Sequence, residues 1–327
     1  MRHALAAALA CLVVVLFVWS RAPPRETFSN GASKTIFVSI ASYRDTDCAA
    51  TLKSMFENAD DPGRVFAGVC EQNTASKEEV CLASGFKWHD QVRRVSIPSK
   101  EAKGPTYARY LCSTLYRGET YFCQLDSHMR FVKGWDTAVI AMLTKCPSPK
   151  PVLSHYPHDY GNEATTGVPV LCKSKLDPGT GLATLEAVTM PASATPKPVP
   201  FVAGGFMFGP GTIAREVPYD PDLPHLFQGE ELLYSARLWT SGYDMFTPTA
   251  NLVTHHYYRK GAAKFWDDLD TKQARDKTLV KVKALLGGTL TEYPYGMGTA
   301  RPLGAYWEYA KIDLAAKTFD SEGAFCK

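Results

Sequence analysis

Beyond residue 33, compact apolar runs alternate with segments whose apolar residues recur at helical spacing. "TIFVSIAS" (35–42), "RVFAGVC" (64–70), "VRRVSIP" (92–98) and "TYFCQLD" (120–126) are runs of strand length, rich in β-branched and aromatic residues. Between them, "CAATLKSMFENA" spaces Leu52, Met55, Phe56 and Ala59 along one helical face. "GPTYARYLCSTLYRG" does the same with Ala108, Leu111, Cys112 and Leu115, and Pro105 falls near its first turn, where a missing N–H is tolerated. "WDTAVIAML" predicts a third helix. Strand–helix repeats at this spacing predict an α/β fold, an open parallel sheet covered on both faces. Ligands of such sheets gather at the carboxyl ends of strands, and Asp126 falls at one of those ends.

Residues 156–200 interrupt the rhythm with seven prolines and four glycines. A featureless loop of that length is unusual, so short strands are expected in "VPVLCK" and "LATLEAV", forming a mobile wall over the site. Order returns with a strand in "PFVAGGFMFGP", a helix in "GEELLYSARLWTSG" and a last strand in "NLVTHHYYR". The segment after Lys260 reads as helical to about Leu286, and the Tyr- and Gly-rich remainder is expected to wrap back on the domain.

Composition adds three constraints. Ala4 to Trp19 is sixteen residues without a charge, flanked by Arg2, His3, Arg21 and Arg25. It is short for a span of about 17–25 residues and lacks a good cleavage site, so it is read as an uncleaved signal-anchor. That reading places the protein in an endoplasmic reticulum, Golgi or equivalent viral membrane; cleavage would make it secreted. A formal charge of +3, with no Lys/Arg block of five, gives no reason to expect a nucleic-acid partner. Of nine cysteines, eight lie beyond the apolar segment, which permits disulfides without assigning them.

The candidate chemistry sits at element ends. In "YFCQLDSHMRF", Asp126 and His128 are one residue apart after an apolar strand, so both side chains face the same way. One carboxylate with one imidazole suits Mn²⁺, with Mg²⁺ less favoured, and leaves positions for phosphate oxygens. "THHYYR" ends another strand, where His255 or His256 could supply a third ligand. Glu230 and Glu231 open a helix, where the macrodipole favours carboxylates. Gly204 and Gly205 in "VAGGFMFG" allow close backbone approach to a ligand, and Gly104 before Pro105 could aim amides at phosphate, with Arg109 one turn on. Arg44 after the first strand could meet a phosphate, and Glu71 after the second could accept from a base or ribose.

In register, "IFVSIASYRD", "RVFAGVCEQN", "GPTYARYL", "YFCQLDSHMRFVKGWD", "VAGGFMFG" and "FQGEELLYSARLWTSGYD" resemble the GlcNAc-transferase family typified by the Skp1 hydroxyproline GlcNAc-transferase. A more distant likeness, carried by Asp126-Ser127-His128, Gly204-Gly205, Gly229-Glu230, Arg237-x-Trp239 and Gly242, is to the mucin-type polypeptide GalNAc-transferases. The resemblance covers about residues 34–265 and implies a GT-A-type nucleotide-diphospho-sugar transferase fold there, after a 1–20 anchor and a 21–33 stem. Residues 266–327 are then a helical extension packed on the catalytic domain. It further implies a Mn²⁺-bridged UDP-sugar donor, GlcNAc above all, and a hydroxyl acceptor on a protein or glycan, with retention of anomeric configuration. Asp126, His128 and His255 become the metal ligands, with His256 the alternative third. Ser39, Arg44, Glu71, Gly104, Arg109, Asp126, Ser127, Gly204 and Gly205 become donor contacts, and Glu230 with Glu231 the catalytic acids. The rival readings are a non-catalytic sugar- or nucleotide-binding module and a metallohydrolase using the same Asp and His residues.

Overall fold

The computed structural model describes residues 34–162 and 165–327, and Lys34–Lys327 form one compact unit. The apolar N-terminal segment lies outside the described residues; among those described, no helix is long and apolar enough to cross a membrane.

The β-branched runs form β1 (Ile36–Tyr43), β2 (Val65–Asn73), β3 (Val92–Pro98) and β4 (Tyr121–Asp126). Short strands follow: β5 (Met129–Phe131), β6 (Pro151–Ser154) and β7 (His158–Asp159). The proline-rich stretch contains β8 (Gly167–Leu176) and β9 (Ala183–Pro191), an antiparallel ribbon, and then β10 (Lys197–Pro198). β11 (Phe206–Pro210), β12 (Asp244–Thr247) and β13 (Val253–His255) complete the strands. Eight of them make one sheet in the order β10-β12-β6-β11-β4-β1-β2-β3. β1 to β4 pair in parallel, as the strand–helix alternation predicts, but β11 runs antiparallel between β4 and β6. This reversal brings the chain entering β11, Gly204-Gly205, beside the carboxyl end of β4.

Helices cover both faces. α1 (Cys48–Glu57) and α3 (Trp135–Thr144) lie on one side, where Leu52, Phe56 and Trp135 pack against Ile36, Val38 and Ile40 of β1. The intervening Phe37 points to the other face, as the period-two alternation of a strand requires. There the core is completed by α5 (Glu230–Thr240), α7 (Lys272–Leu286) and α8 (Leu303–Ala310). α2 (Pro105–Ser113) packs over β1 and β2 through Ala108 and Cys112. Two small helices, α4 (Ile213–Glu216) and α6 (Phe265–Asp268), fill connections. Disulfides join Cys48 to Cys81 and Cys172 to Cys326, tying α1 to the loop after β2 and β8 to the C-terminal tail.

One buried group makes stability depend on pH. His155, just past β6, is fully buried, and neither ring nitrogen has a hydrogen-bond partner among the described residues. Its ring lies edge-on to Phe206. Burial, with a smaller contribution from His158, pushes the imidazole down to about 3. Between that value and the unfolded value near 6.5, only the unfolded chain takes up the proton, so stability falls as pH falls through this window. Replacing His155 by Leu should therefore flatten the loss, which runs to about 1.4 kcal/mol per pH unit at its steepest. Urea unfolding of both proteins between pH 4 and 7 would show it; parallel curves would contradict a neutral buried imidazole.

Candidate active site

β4 delivers Asp126 at its carboxyl end, His128 follows in the turn to β5, and His255 ends β13, which pairs antiparallel with β5 so that His255 lies opposite Met129. Strand pairing thus joins residues 129 positions apart in sequence. One ligand atom from each of Asp126, His128 and His255 lies within 4.8 Å of the others. The imidazoles of His128 and His255 meet edge to face at 4.5 Å, and His255 Nε2 is 3.1 Å from Asp126 Oδ2. His256 turns the other way, its Nδ1 2.8 Å from Asp47 Oδ2, which separates the two histidines the sequence left as alternatives.

Arg109 lies beneath this cluster. The buried guanidinium on α2 is ion-paired with Glu230, donates to Asp126 Oδ1 at 3.2 Å and donates to the Gly204 carbonyl at 3.0 Å. A Cβ on Gly204 would stand 3.1 Å from Arg109 Nη2, and one on Gly205 3.2 Å from Asp126 Oδ2, so the glycine pair is what lets β11 enter this close. Glu231 is held differently: it accepts from the Gly204 amide at 2.7 Å and from the Tyr156 hydroxyl. Burial raises its carboxyl above the ordinary range despite those bonds. Burial also opposes the charge on Asp126, but His255 and the Arg109 guanidinium outweigh it and hold the carboxyl far below the usual value.

A cleft of about 470 Å³ opens over these groups, lined by Gly104, Arg109, Asp126, Ser127, His128, Gly204, Gly205, Glu230, Glu231 and His255. Gly104 is in the left-handed region at φ 87° and caps α2 at the cleft wall. Thr184 of β9 also reaches the cleft. Three expected donor contacts are placed elsewhere. Ser39 is buried in the middle of β1, four residues before the strand ends at Tyr43. Glu71 turns into the loop after β2, accepting from the amides of Cys81 at 2.9 Å and Leu82 at 3.2 Å. Its neighbour Gln72 lines the cleft instead. Arg44 adopts φ 48° and pairs with Glu79 at 3.2 Å and Asp268 at 2.6 Å, while Tyr43 and Asp45 on either side line the cleft.

Residues that sequence reading passed over also converge here. Asp45 accepts from Ser127 Oγ at 2.5 Å, sits 2.8 Å from His128 Nδ1 and pairs with Arg259 at 3.0 Å. The signal was in "YRDTD": two carboxylates two apart at the end of a buried strand, the same pattern that singled out Asp126 and His128. Tyr156, Phe227, Tyr257 and Trp266 supply an aromatic wall, with Phe227 and Trp266 edge to face at 5.1 Å.

Four carboxylates (Asp45, Asp126, Glu230, Glu231) thus face two guanidiniums (Arg109, Arg259) around two imidazoles. One carboxylate and two nitrogens within mutual reach, in an acidic surround, fit a divalent cation. Removing the central guanidinium should leave the buried Glu230 carboxylate without its partner beside the partly buried Asp126. In EDTA, Arg109→Leu is expected to cost about 3–5 kcal/mol in urea unfolding. Adding Glu230→Gln should recover part of that loss, and a single-variant cost under about 1 kcal/mol would contradict this arrangement.

Residues 35–87 and 86–316 match the family model described as Glycosyltransferase (GlcNAc). Among solved structures, the chain is similar to GalNAc-T7 crystallised with UDP, GalNAc and Mn²⁺, with a TM-score of 0.59 at 14% identity. That alignment covers 88% of this chain and 58% of the GalNAc-T7 chain, so the protein spans less than two thirds of that relative's length. S. aureus TarS 1-349 in complex with UDP-GlcNAc aligns with a TM-score of 0.47 at 12% identity, over 80% of this chain and 76% of that one. No curated protein sequence matches. With the family model matching most of its length, and a mixed sheet that superposes on a glycosyltransferase of that architecture, the chain belongs to the GlcNAc glycosyltransferase family and has the GT-A fold.

Proposed function

We propose that the protein is a metal-dependent glycosyltransferase that moves a sugar, GlcNAc in the first instance, from a UDP-sugar to a hydroxyl on a protein or glycan, with retention. The observation that carries this reading is the convergence of Asp126, His128 and His255 on one point beside Arg109, at the carboxyl end of a parallel sheet. The family model's description supports the choice of GlcNAc, and the UDP and Mn²⁺ bound by GalNAc-T7 support the donor class and the metal. The N-terminal segment is proposed as a membrane anchor; two disulfides agree with an oxidising lumen for the folded part.

Asp126, His128 and His255 would hold Mn²⁺, with Mg²⁺ as a weaker substitute. When bound, the cation neutralises the diphosphate and stabilises the departing UDP. The chain's own groups then set the geometry. Gly204 and Gly205 keep the floor low enough for a sugar to lie over Asp126. Glu230 is ion-paired with Arg109, so it serves to orient a hydroxyl by accepting its hydrogen bond. Glu231, bound by the Gly204 amide and Tyr156, fixes the floor and the aromatic wall together. For a retaining transfer on one face, the acceptor hydroxyl loses its proton to the leaving phosphate oxygen as the new C1–O bond forms and the old one breaks.

Release of UDP from a panel of UDP-sugars by the purified full chain, with Mn²⁺ and with EDTA, tests this. One donor should turn over in Mn²⁺ only, and Asp126→Ala should lower the rate by about 100-fold or more, the scale of a lost electrostatic stabiliser. Mn²⁺-dependent binding of UDP without turnover of any donor, across protein and glycan acceptors, would favour a binding module instead.

A further inference from the structure

We propose that Asp45 is a positioning residue: its carboxylate locks His128 in the tautomer that carries the proton on Nδ1 and leaves Nε2 with its lone pair to offer a metal. The proposal rests on the metal reading above and adds a residue that is not itself a ligand.

Two contacts define the tautomer independently. A carboxylate only accepts, so His128 Nδ1, 2.8 Å from Asp45 Oδ2, must carry the hydrogen. At the other end of the ring, Arg259 Nη2 lies 3.3 Å from Nε2, and a guanidinium only donates, so Nε2 must present its lone pair. Both ends of the imidazole give the same answer.

Asp45 is itself fixed on every side. It is 4% exposed. Its Oδ2 accepts from Ser127 Oγ at 2.5 Å and pairs with Arg259 Nη1 at 3.0 Å, while Oδ1 accepts from the Asp47 amide at 3.0 Å. The backbone aims it: Arg44 at φ 48° reverses the chain after β1, a conformation that is unfavourable for a side-chain-bearing residue. The Arg44 amide donates to the Gln72 carbonyl at 3.1 Å and its side chain is anchored by Glu79 and Asp268, which hold the turn. That explains Arg44 without a phosphate. His255 has no comparable support, since its buried Nδ1 has no partner among the described residues. The lock therefore acts on His128 alone.

Carboxylates that orient a ligating imidazole typically contribute 10- to 100-fold in metal affinity. Asp45→Asn, checked to be folded, should accordingly weaken Mn²⁺ binding to the full chain by about 10- to 100-fold, read by calorimetry without donor or acceptor. Nitrogen-15 spectra of histidine-labelled wild-type protein, with His128 assigned from His128→Gln, should show the proton on Nδ1, and the Asn variant should show a tautomer mixture. These spectra decide the matter in wild-type protein even if the variant does not fold. A wild-type His128 protonated on Nε2, or unchanged Mn²⁺ affinity in a folded Asn variant, would overturn the proposal. Wild-type protein that binds no Mn²⁺ would instead sink the metal reading beneath it, and this role with it.

Discussion

The buried guanidinium of Arg109 is the constraint on which the site depends. A cation with almost no solvent around it is tolerated only where opposite charge and carbonyl oxygens surround it. Here those partners come from the end of β4 through Asp126, the start of α5 through Glu230 and the entry to β11 through the Gly204 carbonyl. Because Arg109 projects from α2, a single side chain sets the distance between four elements.

The antiparallel insertion of β11 follows from the same requirement. A parallel neighbour at that position would place its own carboxyl end beside that of β4, with the chain that enters it at the opposite edge of the sheet. The reversed strand delivers its entering backbone directly there, and the two glycines leave out the Cβ atoms that would press on Arg109 and Asp126. Glu231 then accepts from the Gly204 amide, so the same dipeptide offers its carbonyl to a cation and its amide to an anion. The result is a floor of backbone polar groups, each with a charged partner, under a cleft whose upper wall is aromatic.

Much of this was legible in the chain. The sheet strands from β1 to β4 and the helices between them are apolar in the period their geometry demands, and the structure places them within a few residues of where the pattern does. The pair Asp126 and His128 was visible because a buried strand ended in two polar side chains of one facing. The last strand was read too long: β13 keeps only Val253–His255, because its partner β5 is itself three residues, and a strand ends where its ladder does. Helix α8 was missed because Tyr306 and Ala310 are buried in a segment otherwise dense in turn-forming residues. Arg44 and Glu71 were assigned by their place after a strand, and Ser39 by family likeness; neither tells which way a side chain leaves the sheet or whether a loop will claim it. Glu71 was claimed by two amides of a loop that a disulfide holds in place.

Arg44 and Asp45 show where local reading reaches its limit. A basic residue after a strand looks like a phosphate contact, and the next acid looks like a solvated turn. Tertiary structure inverts both. The arginine side chain is spent on two carboxylates that stabilise a left-handed turn, and the acid is driven inward to a histidine 83 residues away. The strand-end pattern marks Asp45 as a carboxylate near the site but not what it holds, because the deciding contacts come from Glu79, Asp268, Ser127 and Arg259, which only the closed fold brings together. Site residues that touch a ligand leave a pattern at strand ends; those that hold them leave theirs in the contacts of the folded chain.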